Sequence, residues 1–226
     1  MLPLGRRLRL AATEARLNAW PQVRVTVAGG GPDTLGIHAL HARSPHPDAL
    51  PLVLTHGWPG SVVEFLDVLG PLVDPPAHGG DAADAFHVVV PSLPGYGFSD
   101  KPQRPGWGVE RIADAWAELM ARLGHDRYGA AGSDWGTTVS TLLGQRHAAH
   151  VAGILVVPPL AARSADGSAG CSIFPAEVPR ASRRWAGRRF TDIRHWHELD
   201  RGGHFAAFEQ PGLFVDEVRT FFRLVR

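Results

Sequence analysis

Apolar positions along the chain fall into short continuous runs, separated by longer stretches in which they recur every three or four residues. Residues 52–55 and 87–90 are continuous runs of the kind that form strands buried on both faces. Residues 23–27 and 35–42 are β-rich and flank the turn GGGPD, which predicts a hairpin, so the glycines at 29–31 are turn chemistry rather than a phosphate loop. The helical period predicts helices over 61–72, 109–123 and 136–146, another from Arg183, and a last one over 213–224. Strands and helices that alternate in this way imply a mainly parallel sheet with helices on both faces. No internal repeat is visible, and one compositional break, AARSADGSAG at 161–170, reads as a linker.

With 226 residues and 44% hydrophobic content the chain can bury a core, and it reads as a single domain over 1–226. Twenty-three Lys plus Arg against 22 Asp plus Glu leave a net charge of +1, which excludes an electrostatic footprint for nucleic acid or an anionic membrane. The expected partner is a small molecule. The lone cysteine, Cys171, excludes an internal disulfide framework and fits a reducing compartment. The first twenty residues hold no signal-type apolar core, and nowhere do about 18 apolar residues run together. These features predict a soluble, cytoplasmic protein. Trp107 and the basic run RRWAGRR at 183–189 read as surface structure with one buried indole.

The chemistry concentrates in GAAGSDWGTT, residues 129–138, where a serine and an aspartate stand side by side. A short strand is predicted before it and a helix from Gly136, so 132–136 is a tight strand-to-helix turn. That is the setting of the nucleophile elbow of α/β-hydrolases, where small residues are needed two positions either side of the nucleophile. For Asp134 those positions are Gly132 and Gly136; for Ser133 they would be Ala131 and Trp135, and an indole does not fit. The frame therefore selects Asp134, and the competing reading is an aspartate that caps the following helix. HGWPGS at 56–61 follows a buried strand, where this fold supplies one oxyanion-hole donor, which nominates the backbone N–H of Trp58 alongside that of Trp135. His204, in RGGHFAAFEQP after the last predicted strand, stands where the fold places its base.

LPLVLTHGWPGSVVEFL, DAFHVVVPSLPGYGFSDKP, GSDWGTT and RGGHFAAFEQP together resemble the microsomal-type epoxide hydrolases of the α/β-hydrolase fold. The resemblance implies that the acid of the triad is Glu177 in FPAE, a choice that spacing alone leaves open against Asp192, Glu198 and Asp200. It also implies a mechanism: an aspartate carboxylate opens an epoxide to a covalent ester, and a histidine then activates water to release a vicinal diol. No metal and no organic cofactor is called for.

The chain departs from that family where a helical lid, with two proton-donating tyrosines, follows the strand in VAGILVVPP. Here the linker at 161–170 stands in its place, and the only tyrosines are Tyr96 and Tyr128, which read as loop packing and as the start of the elbow strand. Residues 1–45 read as a shortened remnant of the family's N-terminal segment plus the first strands. Loss of general-acid help removes roughly 10²–10⁴-fold from ring opening. A missing crossover helix would leave an apolar patch, and the expectation is that two copies pair over it or that the protein is poorly soluble. The alternatives are a haloalkane dehalogenase-like hydrolase, whose halide leaves without a proton, and an inactive capless homologue. An ester hydrolase ranks last among the alternatives, because the elbow holds no serine in frame.

Overall fold

The computed structural model of the chain describes residues 10–158 and 165–226. Its elements, in chain order, are α1 (Leu10–Asn18), β1 (Gln22–Val27), β2 (Leu35–Ala42), β3 (Leu50–Thr55), α2 (Leu66–Val73), β4 (Phe86–Pro91), α3 (Val109–Arg122), β5 (Tyr128–Ser133), α4 (Trp135–Arg146), β6 (Val151–Val157), β7 (Ala165–Ile173), α5 (Arg183–Ala186), β8 (Phe190–Glu198), α6 (Ala206–Glu209) and α7 (Pro211–Phe222). The eight strands form one sheet in the order β1-β2-β4-β3-β5-β6-β7-β8. The hairpin β1–β2 and the β2–β4 pair are antiparallel, and every pairing beyond β4 is parallel.

Because strand side chains alternate faces, each central strand feeds two cores. Leu52, Leu54, Val88, Val90, Leu155 and Val157 pack on one face with α2 and α7. Val53, Val89, Ala130, Ile154, Val156 and Cys171 pack on the other with α3 and α4. The runs at 52–55 and 87–90 are continuous because both of their faces are covered.

Three expectations need correction. Residues 165–170 of the expected linker belong to β7, which pairs in parallel with β6 through Ile154↔Ala169, Leu155↔Gly170 and Val156↔Cys171, while 161–164 lie outside the described residues. A Gly- and Ser-rich composition masks a strand there, because close packing demands small side chains: a Cβ on Gly170 would come 2.6 Å from the Phe221 ring. The expected bare patch over this part of the sheet is also absent among the described residues. Leu155, Val156, Cys171 and Ile173 are all buried, and Phe221 of α7 lies against both Gly153 and Gly170, so the neighbouring helices cover the strands. Finally, the helix from Arg183 is only four residues long, ends at Gly187, and leaves Trp185 exposed; the half-buried indole is Trp107, under the Arg111 guanidinium.

No helix among the described residues is long and apolar enough to cross a membrane. The predicted helix over 61–72 begins as a 3₁₀ turn, Val62–Phe65, before α2, with the Ser61 hydroxyl accepting from the Val63 N–H.

Candidate active site

β5 runs into α4 with a single residue between them, and that residue is Asp134. Its backbone sits at φ 52°, ψ −119°, and it is the one non-glycine residue at positive φ among those described. Such a conformation costs of order 1–3 kcal/mol and persists only where the surroundings over-determine it. The surroundings do so here. A Cβ at Gly132 would lie 2.5 Å from the carbonyl carbon of Gly136, one at Gly136 would lie 2.0 Å from the Thr55 oxygen, and one at Gly57 would lie 2.4 Å from the Asp134 Cβ. The turn is thus packed to backbone contact on three sides, which only glycine permits.

The competing reading of Asp134 as a helix cap fails on its hydrogen bonds. Its side chain makes no capping bond to α4; instead Oδ1 accepts the backbone N–H of Trp58 at 2.8 Å. Trp58 reaches this point because His56 anchors the loop after β3. The His56 ring is buried between the Gly57 carbonyl (2.9 Å) and the Leu93 N–H (3.1 Å), and burial lowers its pKa, so it stays neutral and structural. Trp135 opens α4 as the residue directly after Asp134. Ser133 is buried at the end of β5.

His204 lies in the loop between β8 and α6. Its Nδ1 donates to both carboxylate oxygens of Glu177, at 3.0 and 3.1 Å, and its Nε2 faces Asp134 Oδ2 at 3.8 Å. Glu177 is buried, and its Oε1 also accepts the Val178 N–H at 2.8 Å. The Glu177 hydrogen bond raises the pKa of His204 against the opposing pull of burial, with smaller contributions from the charges of Asp134 and Glu64. The three rival carboxylates pair elsewhere: Asp192 with Ser168 and Arg194, Glu198 with Arg180, Asp200 with Arg201. So Asp134, Glu177, His204 and the Trp58 N–H converge, drawn from the ends of β3, β5 and β7 and the loop after β8.

One residue of this group escapes sequence reasoning. Glu64 is buried beneath the 57–60 loop, where it takes a backbone hydrogen bond from Gly57 and leaves Oε1 without a hydrogen-bond partner in the protein. Burial pushes its carboxyl up to about 7, opposed by the Gly57 bond and the His204 charge and helped by Asp134. The spacing S-V-V-E at 61–64 looks like a capping box, which would set Glu64 on the helix surface. Only its place under the loop shows otherwise.

The site is open. Trp58, Trp135, Val178 and Phe208 are exposed apolar side chains belonging to or neighbouring its residues in sequence, and His204 is partly accessible. Tyr128 begins β5 as a fully buried side chain, and Tyr96 packs partly buried with its ring 5.5 Å from that of His56. Cys171 is buried with its thiol pushed up to about 12 by desolvation, which makes it inert.

Comparison with known proteins shows the family and the fold. The family model for the epoxide hydrolase N terminus matches residues 7–65, and that for the alpha/beta hydrolase fold matches residues 51–169. A Stigmatella aurantiaca (strain DW4/3-1) protein with a provisional epoxide hydrolase name is 38% identical over an alignment of 322 positions, covering 94% of this chain and 72% of its own. That alignment is longer than the 226-residue chain, so the relative carries segments that this chain lacks. Epoxide hydrolase 1 of Oryctolagus cuniculus is 36% identical over 142 residues, and the match spans 61% of this chain but only 30% of the rabbit protein. Among solved structures, the Aspergillus niger epoxide hydrolase has a TM-score of 0.84 at 22% identity, covering 97% of this chain and 82% of that one. The juvenile hormone epoxide hydrolase of the silkworm Bombyx mori has a TM-score of 0.85 at 19% identity, with 98% and 80% covered. At these identities the two structures show a shared fold.

Proposed function

The chain belongs to the epoxide hydrolase family, and on that premise we propose that it opens a small-molecule epoxide to a vicinal diol through a covalent ester on Asp134. With Oδ1 engaged by Trp58, Oδ2 is the free oxygen, and it attacks an epoxide carbon. The new C–O bond forms as the epoxide C–O bond breaks, and the released alkoxide takes a proton from water reaching the open site. In the second step His204 takes a proton from a water molecule, which attacks the ester carbonyl carbon; the bond from that carbon to the ester oxygen then breaks, the diol oxygen leaves with the proton held by His204, and the regenerated Asp134 carboxyl ionises, returning to solvent the proton that ring opening took. The Nε2–Oδ2 separation of 3.8 Å allows a water to touch both groups if it lies off the line joining them. Glu177 fixes the tautomer that leaves Nε2 able to accept, and it stabilises the imidazolium that forms. The oxyanion on Asp134 Oδ1 is held by the Trp58 N–H and, in this reading, by that of Trp135, each donor worth roughly 3–4 kcal/mol in well-studied sites. Water is the second substrate; no metal or organic cofactor enters a step.

The observation that carries this reading is a carboxylate bound to a loop N–H instead of its own helix, facing an imidazole whose other nitrogen is held by a buried glutamate. A cytoplasmic location goes with it, supported by the lone, unpaired Cys171. Because Tyr128 is buried and Tyr96 packs against the core, proton delivery to the leaving oxygen falls to solvent, so ring opening is the slow step. This favours a second substrate class, alkyl halides, whose leaving group needs no proton.

His204→Gln separates the steps. Incubated with an aryl epoxide, this variant accumulates an adduct of hydroxyalkyl-ester mass on the peptide that contains Asp134, and Asp134→Asn shows none. An adduct from an alkyl halide alone moves the assignment to a dehalogenase. No adduct from either, in protein with a wild-type melting curve, ends the case for a catalytic Asp134.

A further inference from the structure

β8 is the last strand of the sheet, and its residues 195 and 197 point to the face covered by α7. There they meet Glu217 of α7: His195 Nε2 lies 2.7 Å from one carboxylate oxygen and His197 Nδ1 lies 2.5 Å from the other. Ser172, the register partner of His197 on β7, donates its hydroxyl to the first oxygen at 2.5 Å. Glu217 and Ser172 are buried, His195 is nearly so, and the His197 side chain is 54% exposed. Among the described residues, the three ligand-type atoms of His195, His197 and Glu217 lie within 4.8 Å of one another.

A helix–sheet seam gains nothing in stability from a buried carboxylate that apolar side chains could replace. Two imidazoles and one carboxylate converging from two rigid elements are instead the donor set of late first-row divalent cations. We propose that His195, His197 and Glu217 form a site for a divalent cation of the zinc type, separate from the Asp134 centre. The cation takes the place of the hydrogen bonds that now join the two imidazoles to Glu217. Ligand bonds of about 2.0–2.1 Å set neighbouring donors about 3.3 Å apart in a tetrahedral site. Each present contact therefore opens by less than about 1 Å. Ser172 stays as the outer partner that orients the carboxylate. The exposed edge of His197 provides entry and leaves the fourth position to water. Such an ion pins the terminal strand to the last helix and takes no part in ester chemistry.

Calorimetric titration of metal-free, tag-free protein with zinc chloride tests this directly. The expected result is one equivalent bound, a melting temperature raised by zinc, and affinity at least tenfold weaker in His197→Gln, since even outer-shell losses cost that much. His197 is partly exposed, so this variant folds, and circular dichroism checks it. Glu217→Gln is the second variant, and cobalt(II) spectra with four-coordinate band intensities, lost in both variants, identify the ligands. The pair His41 and His125, with Nε2 atoms 3.1 Å apart, is untouched by these changes. Unchanged affinity in His197→Gln therefore locates any bound zinc elsewhere and overturns the proposal, as does wild-type protein that binds none. Neither result bears on the epoxide reading.

Discussion

Glu64 and His204 both hold a proton more tightly in the folded protein than in the unfolded chain, so the site makes stability fall as pH rises through neutrality. The Glu64 carboxyl rises from 4.5 to about 7 because it is buried, so between those values the folded state binds a proton that the unfolded chain has released. Stability then falls as pH rises through that window; the penalty is absent below the unfolded value and complete above the folded one. The His204 shift has the same sign: its stabilising proton is fully held below the ordinary imidazole value and lost as pH rises through the raised one. Glu64→Gln keeps an acceptor for the Gly57 N–H and removes the charge. Urea unfolding should find it more stable than wild type by on the order of 3 kcal/mol at about pH 8, and unchanged at about pH 4. An equal difference at both pH values would mean that Glu64 is not a buried carboxylate in solution.

At the scale of elements, the decisive unit is the β5–α4 elbow with the β3 loop beside it. Gly136→Ala drives a Cβ to 2.0 Å from the Thr55 oxygen, a clash with backbone that no rotamer relieves. It should lower stability by about 3 kcal/mol or more and abolish activity by displacing Asp134. Gly212→Ala, near the start of α7 with nothing within 4 Å of the added methyl, should leave melting unchanged or slightly raised. Equal thermal melts for the two variants would show that the turn is looser than this geometry. The elbow was legible in the order G-S-D-W-G because the clash between Gly132 and Gly136 is local in sequence. β7 was not legible, since its small residues answer to Phe221 of α7, more than fifty positions away.

Over the whole molecule, helices α4 and α7 close over β6 and β7, and among the described residues the exposed aromatic side chains of the site or close to its residues in sequence are Trp58, Trp135 and Phe208, a rim left to solvent. Pairing of two copies across that rim would exclude water from Asp134 as a lid does elsewhere. Sedimentation should then show a dimer that Trp58→Gln weakens; a monomer that binds no hydrophobic dye would remove pairing from the account.

Sequence by itself determined the alternating strands and helices, and it nominated Asp134 over Ser133 by its frame and His204 by its place after the last strand, because each rests on steric or periodic relations between near neighbours in the chain. It could not separate Glu177 from Asp192, Glu198 and Asp200 without a family likeness, nor find Glu64 under its loop, nor join His195 and His197 to Glu217. Those depend on which strand ends and helix faces meet, and tertiary packing alone decides that, because a carboxylate's partner and its proton affinity are properties of the space around it.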